Sequence, residues 1–259
     1  MTLEEIIGES WAKVIGSEFQ KEYMQKLSAG LRQTRENKLK VIYPESEDVF
    51  KALKLCPFDK VKVVIIGKEP YYQGNADGLA FSYKKGERKG QGVQSLDVIL
   101  DEIENDVYAG FNVNKDYELE YLAKQGVLLL NAVLTVEKNK PDSHANVGWQ
   151  QFTSAIIMHI LGRIGPKVFM LWGKDAQLIY HEASKFQTIF SDVFLLKAYH
   201  PAYDLHKRDS FGRITVKYPD GFTGCRHFSK ANTFLLANQI GAIDWLPDPE
   251  NTWSKMPPF

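Results

Sequence analysis

The chain is poor in cysteine and has no metal-ligand spacing. Cys56 and Cys225 stand alone, and no pair of histidines or cysteines recurs at the intervals of a zinc site. That excludes a disulfide framework and fits a reducing compartment. Net charge is missing too, since 32 lysines and arginines balance 32 aspartates and glutamates. Without a global basic field, an anionic ligand has to be met by a local patch. No apolar run reaches the roughly 18 residues of a membrane helix, and the opening MTLEEIIGES is acidic where a signal peptide is basic. A soluble, intracellular protein is expected, cytoplasmic, or nuclear in a eukaryote or its virus. Glycine-rich phosphate loops and Ser or Cys nucleophile motifs are absent, as are internal repeats, low-complexity tracts and linkers. The expectation is a single domain over residues 1–259 whose site works without metal or cofactor.

What is present alternates. With 44% apolar and 25% charged residues the chain can bury a sizeable core. Apolar, β-branched runs recur at KVKVVIIG, QGVLLLNAVLTV, KVFMLWG and DVFLLKAYHP, and between them lie helical spacings in SLDVILDEIENDV, WQQFTSAIIMHILGRI and KDAQLIYHEASKF. Strands apolar on both faces and separated by helices call for a parallel sheet covered on both sides. The predicted fold class is therefore α/β, a three-layer sandwich with a central four-stranded, mainly parallel sheet flanked by helices. Ligands of such sheets bind beyond the carboxyl ends of the strands. There the sequence places Gly67, Lys68, Glu69, Pro70, Tyr71 and Tyr72 after the first run, and Asn131 within the second. The third run ends in Trp172, Gly173 and Lys174, and the fourth in His200 and Pro201. One carboxylate, one amide, one imidazole and several aromatics share a rim. Taken singly, each has an ordinary reading: a hydrogen-bonded core amide, a structural histidine, a solvated loop glutamate, packed aromatics.

Taken in order, these strings resemble the family 1 uracil-DNA glycosylases. GKEPYY followed by GLAFS is similar to the family's GQDPYH water-activating loop, LLLNAVLTV to its uracil-recognition strand, and HANVGW to its HANLGW-like helix start. VFMLWGKDAQ and GCRHFSKAN complete the series, and the match runs from about Trp11 to about Trp245. The resemblance implies a monomeric hydrolase of base excision repair that flips uracil out of single- or double-stranded DNA and cuts its bond to deoxyribose, without cofactor or metal. It implies that Asn131 reads uracil's O4 and N3–H, that Phe81 stacks on the ring, and that Tyr71 crowds C5 against thymine. Gly67 and Lys68 belong to the same substrate-binding loop. His200 would stabilise the leaving base at O2, and Glu69 would orient the attacking water. A DNA-mimicking protein inhibitor is the further partner the resemblance suggests.

Four departures keep other readings open. Glu69 stands where the family has aspartate, and Tyr72 where it has histidine. The QGNAD stretch is shorter than the usual spacing, so a retracted loop is expected to accommodate the longer Glu69. After His200 the family's HPSPLS wedge becomes HPAYDLHKRDSFGRITVKYPDGFTG, in which Ala202 lacks the phosphate-binding hydroxyl and Leu205 matches the wedge leucine only loosely. This insert reads as two short strands around a Pro-Asp-Gly turn. It is locally basic, and Lys207 and Arg208, with Ser95 and Lys174, are the candidate DNA contacts. The alternatives are a glycosylase retuned to another modified pyrimidine, with Tyr72 and the insert as altered pocket and lid, and a slow or non-catalytic module that holds uracil-containing DNA.

Overall fold

The computed structural model describes residues 2–37, 40–84, 94–109, 115–186 and 192–247. Six strands occur among them: β1 (Ile42–Tyr43), β2 (Val63–Gly67), β3 (Val127–Asn131), β4 (Val136–Glu137), β5 (Lys167–Trp172) and β6 (Val193–Ala198). Four form the central sheet in the order β3-β2-β5-β6, all parallel. Every residue of β2, β3 and β5 is buried, as a parallel sheet with two covered faces requires. In β6 only Leu196 and Ala198 are buried and Lys197 is exposed, which marks the edge.

The helices follow the spacing of the sequence. Ser95–Val107 starts at a capping box between Gln94 and Asp97 and buries Leu96, Ile99, Leu100 and Ile103, one face at helical period. Trp149–Gly162 and Lys174–Ser184 begin at the residues their patterns predict. Three amino-terminal helices, Leu3–Ile7, Glu9–Ile15 and Glu22–Glu36, were not foreseen. They are held partly by Trp11, which is fully buried and donates its indole N–H to the Cys56 carbonyl at 2.8 Å.

Two expectations need correction. QGVLLLNAVLTV is not one strand: β3 stops at Asn131, and Val136–Glu137 pairs antiparallel with Ile42–Tyr43 in a separate two-stranded sheet. The insert is not a hairpin around Pro219, Asp220 and Gly221. The Pro-Asp-Gly turn itself forms, closed by the Tyr218 amide on the Thr223 carbonyl at 2.7 Å, but no strands flank it among the described residues, and a second turn at Asp209–Gly212 is closed by a single bridge between Arg208 and Ile214. The chain after that turn is held by Asp204, fully buried, whose carboxylate accepts from the Phe222 and Thr223 amides and the Thr223 hydroxyl. A Cβ on Gly221 would lie 2.7 Å from Asp204 Oδ1, so the Pro-Asp-Gly segment is drawn onto this carboxylate. No helix among the described residues is long and apolar enough to cross a membrane.

Strand order places the site. From β2 the chain crosses to β3 on one side, and from β5 it crosses to β6 on the other, so β2 and β5 flank the point where the winding reverses. Crevices of parallel sheets open there, beyond the carboxyl ends.

Candidate active site

Gly67 and Asn131 face each other at the ends of β2 and β3. A Cβ at Gly67 would sit 2.3 Å from Asn131 Oδ1 and 2.9 Å from Ala80 Cβ, so only glycine admits both the buried amide and the GLAFS segment. That segment is fixed to the sheet by the Ala80 amide on the Leu129 carbonyl, 3.1 Å. Asp77 holds its turn, accepting from the Leu79 amide at 3.0 Å and the Ser82 hydroxyl at 2.6 Å. Phe81 then adopts φ +66°, a left-handed conformation that costs a non-glycine residue about 1–3 kcal/mol. Tyr71 holds it there: its hydroxyl donates to the Phe81 carbonyl at 3.2 Å while its ring lies on Tyr83, centroids 4.6 Å apart. Burial pushes the Tyr71 hydroxyl well above its usual range, so it keeps this proton. The Phe81 ring meets Trp172 at 5.7 Å and His200 at 5.8 Å.

His200 caps the short helix Pro201–Leu205, its Nδ1 accepting the Ala202 N–H at 3.1 Å. A nitrogen that accepts carries no proton, so the neutral ring bears it on Nε2. Burial lowers the His200 pKa and favours that neutral form. The close packing depends on Gly173, at φ +89°, where a Cβ would come within 2.9 Å of His200 Cβ.

Glu69 is tied across the rim. Both its carboxylate oxygens accept from the Asp142 amide, at 3.1 and 3.0 Å, and Lys68 Nζ pairs with the Asp142 carboxylate at 2.6 Å. Burial raises the Glu69 pKa, and the Asp142 N–H opposes that rise. The extra methylene thus reaches a donor on the loop that follows β4. Sequence reasoning missed Asp142. Pro-Asp marks a turn, but nothing in the string says whose carboxylate its amide will meet. Just after QGNAD, at Gly78, φ +89°, a Cβ would fall 1.9 Å from the Asp48 carbonyl oxygen, so only glycine fits there.

One cavity of about 180 Å³ brings these groups together, roughly the share of six liquid waters and the scale of a single heterocycle. Gly67, Lys68, Glu69 and Tyr71 line one part of it; Phe81, Ser95, Asn131 and His200 line the rest, with Pro70 and Leu79. A wider groove of about 730 Å³ beside the helix Glu22–Glu36 has mostly apolar walls and no imidazole. Among the described residues no group of three or more His, Cys, Asp or Glu is arranged to hold a metal ion.

The remaining candidates lie around the mouth. Ser95 opens its helix at the cavity, and exposed Lys174 opens the helix after Gly173. Ala202 offers its amide to His200. Leu205, expected as the wedge, packs half-buried against the core; the exposed side chain of that helix is Tyr203. Lys207 is exposed, with Nζ 5.9 Å from the Tyr203 ring centroid, whereas the half-buried Arg208 donates to the Gly212 carbonyl and holds the insert's turn. HANVGW is structural here: the Thr135 hydroxyl accepts from Trp149 Nε1 at 2.6 Å and is hydrogen-bonded to His144 Nδ1 at 2.8 Å.

Comparison with known proteins places the chain in a family. The profile of the uracil DNA glycosylase superfamily matches residues 53–235. The uracil-DNA glycosylase of Coxiella burnetii (strain Dugway 5J108-111) is 40% identical over 245 residues, covering 93% of this chain and 97% of that protein. The uracil-DNA glycosylase of Mannheimia succiniciproducens is 42% identical over 243 residues, covering 93% and 98%. The crystal structure of mimivirus uracil-DNA glycosylase shares the fold with a TM-score of 0.76 at 24% identity, over 95% of this chain and 89% of that one. On the sequence match alone, the chain belongs to the uracil-DNA glycosylase superfamily.

Proposed function

We propose that the cavity receives one uracil turned out of DNA and that Glu69 and His200 hydrolyse its bond to deoxyribose, leaving an abasic site in base excision repair. The observation that carries this reading is the convergence of a carboxylate, an amide, a neutral imidazole and a strained aromatic on a cavity of single-base size. Flipping exposes the polar edge of the base to reading. Asn131 offers N–H to O4 and accepts N3–H, a pairing that cytosine reverses. As the C1′–N1 bond breaks, its electron pair moves into the base toward O2, where the Nε2–H of His200 donates without transferring its proton. Glu69 opposes the sugar's positive charge and orients a water whose oxygen bonds to C1′; the proton that water loses leaves by way of the carboxylate. A stabilised anion departs, so one carboxylate suffices where many glycosidases use two.

Oligonucleotides carrying uracil, thymine or other substituted pyrimidines test this, with and without a chelator. Abasic sites are expected from uracil alone and at the same rate in excess chelator. Cleavage confined to a substituted pyrimidine would indicate a retuned pocket, binding without cleavage would indicate a holding module, and chelator-sensitive cleavage would remove this mechanism.

The pH profile follows from the two shifts. Glu69 must be ionised and its pKa lies above the ordinary 4.5; His200 must be neutral and its pKa lies below the ordinary 6.5. Each group reaches its working form by losing a proton, so kcat/KM is expected to level off on the alkaline side and to fall on acidification as each group gains a proton. A rate that rises on acidification from pH 8 to 6 would make the imidazolium the active form.

The protein is read as intracellular, and its DNA-facing rim as the surface a DNA-mimicking inhibitor would occupy. The description of one structural neighbour, a variant mimivirus enzyme in complex with UGI, supports the second reading.

A further inference from the structure

We propose that the insert after His200 carries a stacking platform for single-stranded DNA, built on Tyr199, Tyr203 and Phe211 with Lys207 and Arg213, which holds unpaired bases beyond the flipped nucleotide. It rests on the reading of DNA as the substrate. Tyr199 and Tyr203 flank His200 in sequence and stack on each other, centroids 5.2 Å apart at 29°, yet remain 47% and 40% exposed. Tyr203 cannot simply turn inward. Asp204, next to Tyr203, is fully buried and pinned by its donors from Phe222 and Thr223, and Pro201 is buried as well, so the short helix is held with Tyr203 facing solvent. Phe211 is 82% exposed at a turn that is itself well tied. Asp209 Oδ1 accepts the Phe211 and Arg213 amides, both at 2.9 Å, and Oδ2 takes Arg213 Nε at 2.7 Å. A rigid turn that holds a phenylalanine in water serves no packing need of the described fold.

Tyr203 and Phe211 each have a cation beside the ring. Lys207 Nζ lies 5.9 Å from the Tyr203 centroid and the Arg213 guanidinium 5.3 Å from that of Phe211. Residues 203–223 contain four lysines and arginines against three aspartates. Asp204 is buried and Asp209 pairs with Arg213, which leaves Lys207, Arg208 and Lys217 against Asp220 and the outward charge positive. Exposed aromatics interleaved with cations match a strand whose bases offer π faces and whose linkages are anionic. A duplex hides those faces in its own stack, so the occupant is the unpaired strand.

The test is fluorescence anisotropy of the full chain with a uracil-free thymidine oligonucleotide roughly a dozen nucleotides long, within known single-strand site sizes, and with a duplex of equal length. Tyr203→Ala and Phe211→Ala should each weaken single-strand binding about 10-fold, the scale of one lost stack. Tyr203→Phe should retain it. The slope of log affinity against log salt should be unchanged in all three, whereas Lys207→Gln should reduce it by about 0.7. Single-strand affinity unchanged in the Tyr203→Ala, Phe211→Ala double variant would overturn the platform, as would an equal loss on duplex. Because the probe has no uracil, loss of the cleavage reading alone, with binding intact, leaves this inference standing.

Discussion

Glu69→Gln is expected to slow uracil release by about 10²–10³-fold, the usual scale for removing a preorganised charge from a site where charge develops, while affinity for uracil-containing DNA stays near its original value. The amide keeps the shape and one oxygen that can still accept the Asp142 N–H, now bonded to both carboxylate oxygens at 3.1 and 3.0 Å. What it removes is the negative charge facing the sugar. Glu69→Asp separates position from charge. Shortened by one methylene, the carboxylate withdraws by about 1 Å from both the Asp142 amide and the water, a misplacement that can cost up to about 10²-fold. Single-turnover rates on a uracil oligonucleotide distinguish the outcomes. An aspartate variant faster than the parent would mean that glutamate detunes the site, and a glutamine variant at the parent rate would remove Glu69 from the chemistry.

The same residue shows what a string can and cannot carry. Periodicity located the helices that flank the sheet almost to the residue, because Ser95, Trp149 and Lys174 each follow a cap or turn and lead an apolar face of period 3.6. The rim was legible too, since residues at the carboxyl ends of parallel strands must converge whatever their loops do. Asp142 was not. It lies 73 residues from Glu69, joined through a backbone N–H that every residue but proline has. Nor was the break after Asn131, where an apolar run leaves one sheet for another without any change in composition. In the insert the Pro-Asp-Gly turn forms but the strands expected around it do not, because Asp204 takes three donors from Phe222 and Thr223 and so dictates the path the chain takes after the turn. Local preference sets what a segment favours alone, and a buried charge in need of partners outweighs it.

Asn131→Asp is the second variant expected to change activity by orders of magnitude, and it changes specificity in a direction that pH controls. A site built to pair a polar edge rejects the wrong edge by about 10⁴-fold or more when its buried groups are left unpaired. While the new side chain is ionised, nothing donates to uracil O4, and uracil excision at alkaline pH should fall by a factor of that order. The position is only 4% exposed, and burial favours a neutral carboxylic acid. The neutral acid can pair with either edge, its O–H to cytosine N3 or uracil O4 and its carbonyl to the cytosine amine or uracil N3–H, so on acidification cytosine release should appear and part of the uracil rate should return, until Glu69 is itself protonated. Thymine is controlled separately. Tyr71→Ala removes the ring expected to crowd C5 and should admit thymine, but it also removes the hydroxyl that holds Phe81 at φ +66°, so its uracil rate should drop as well. Tyr71→Phe keeps the ring and loses only that hydrogen bond. It should therefore slow uracil release without admitting thymine, and thymine released at equal rates by both variants would place the selectivity on another wall of the cavity.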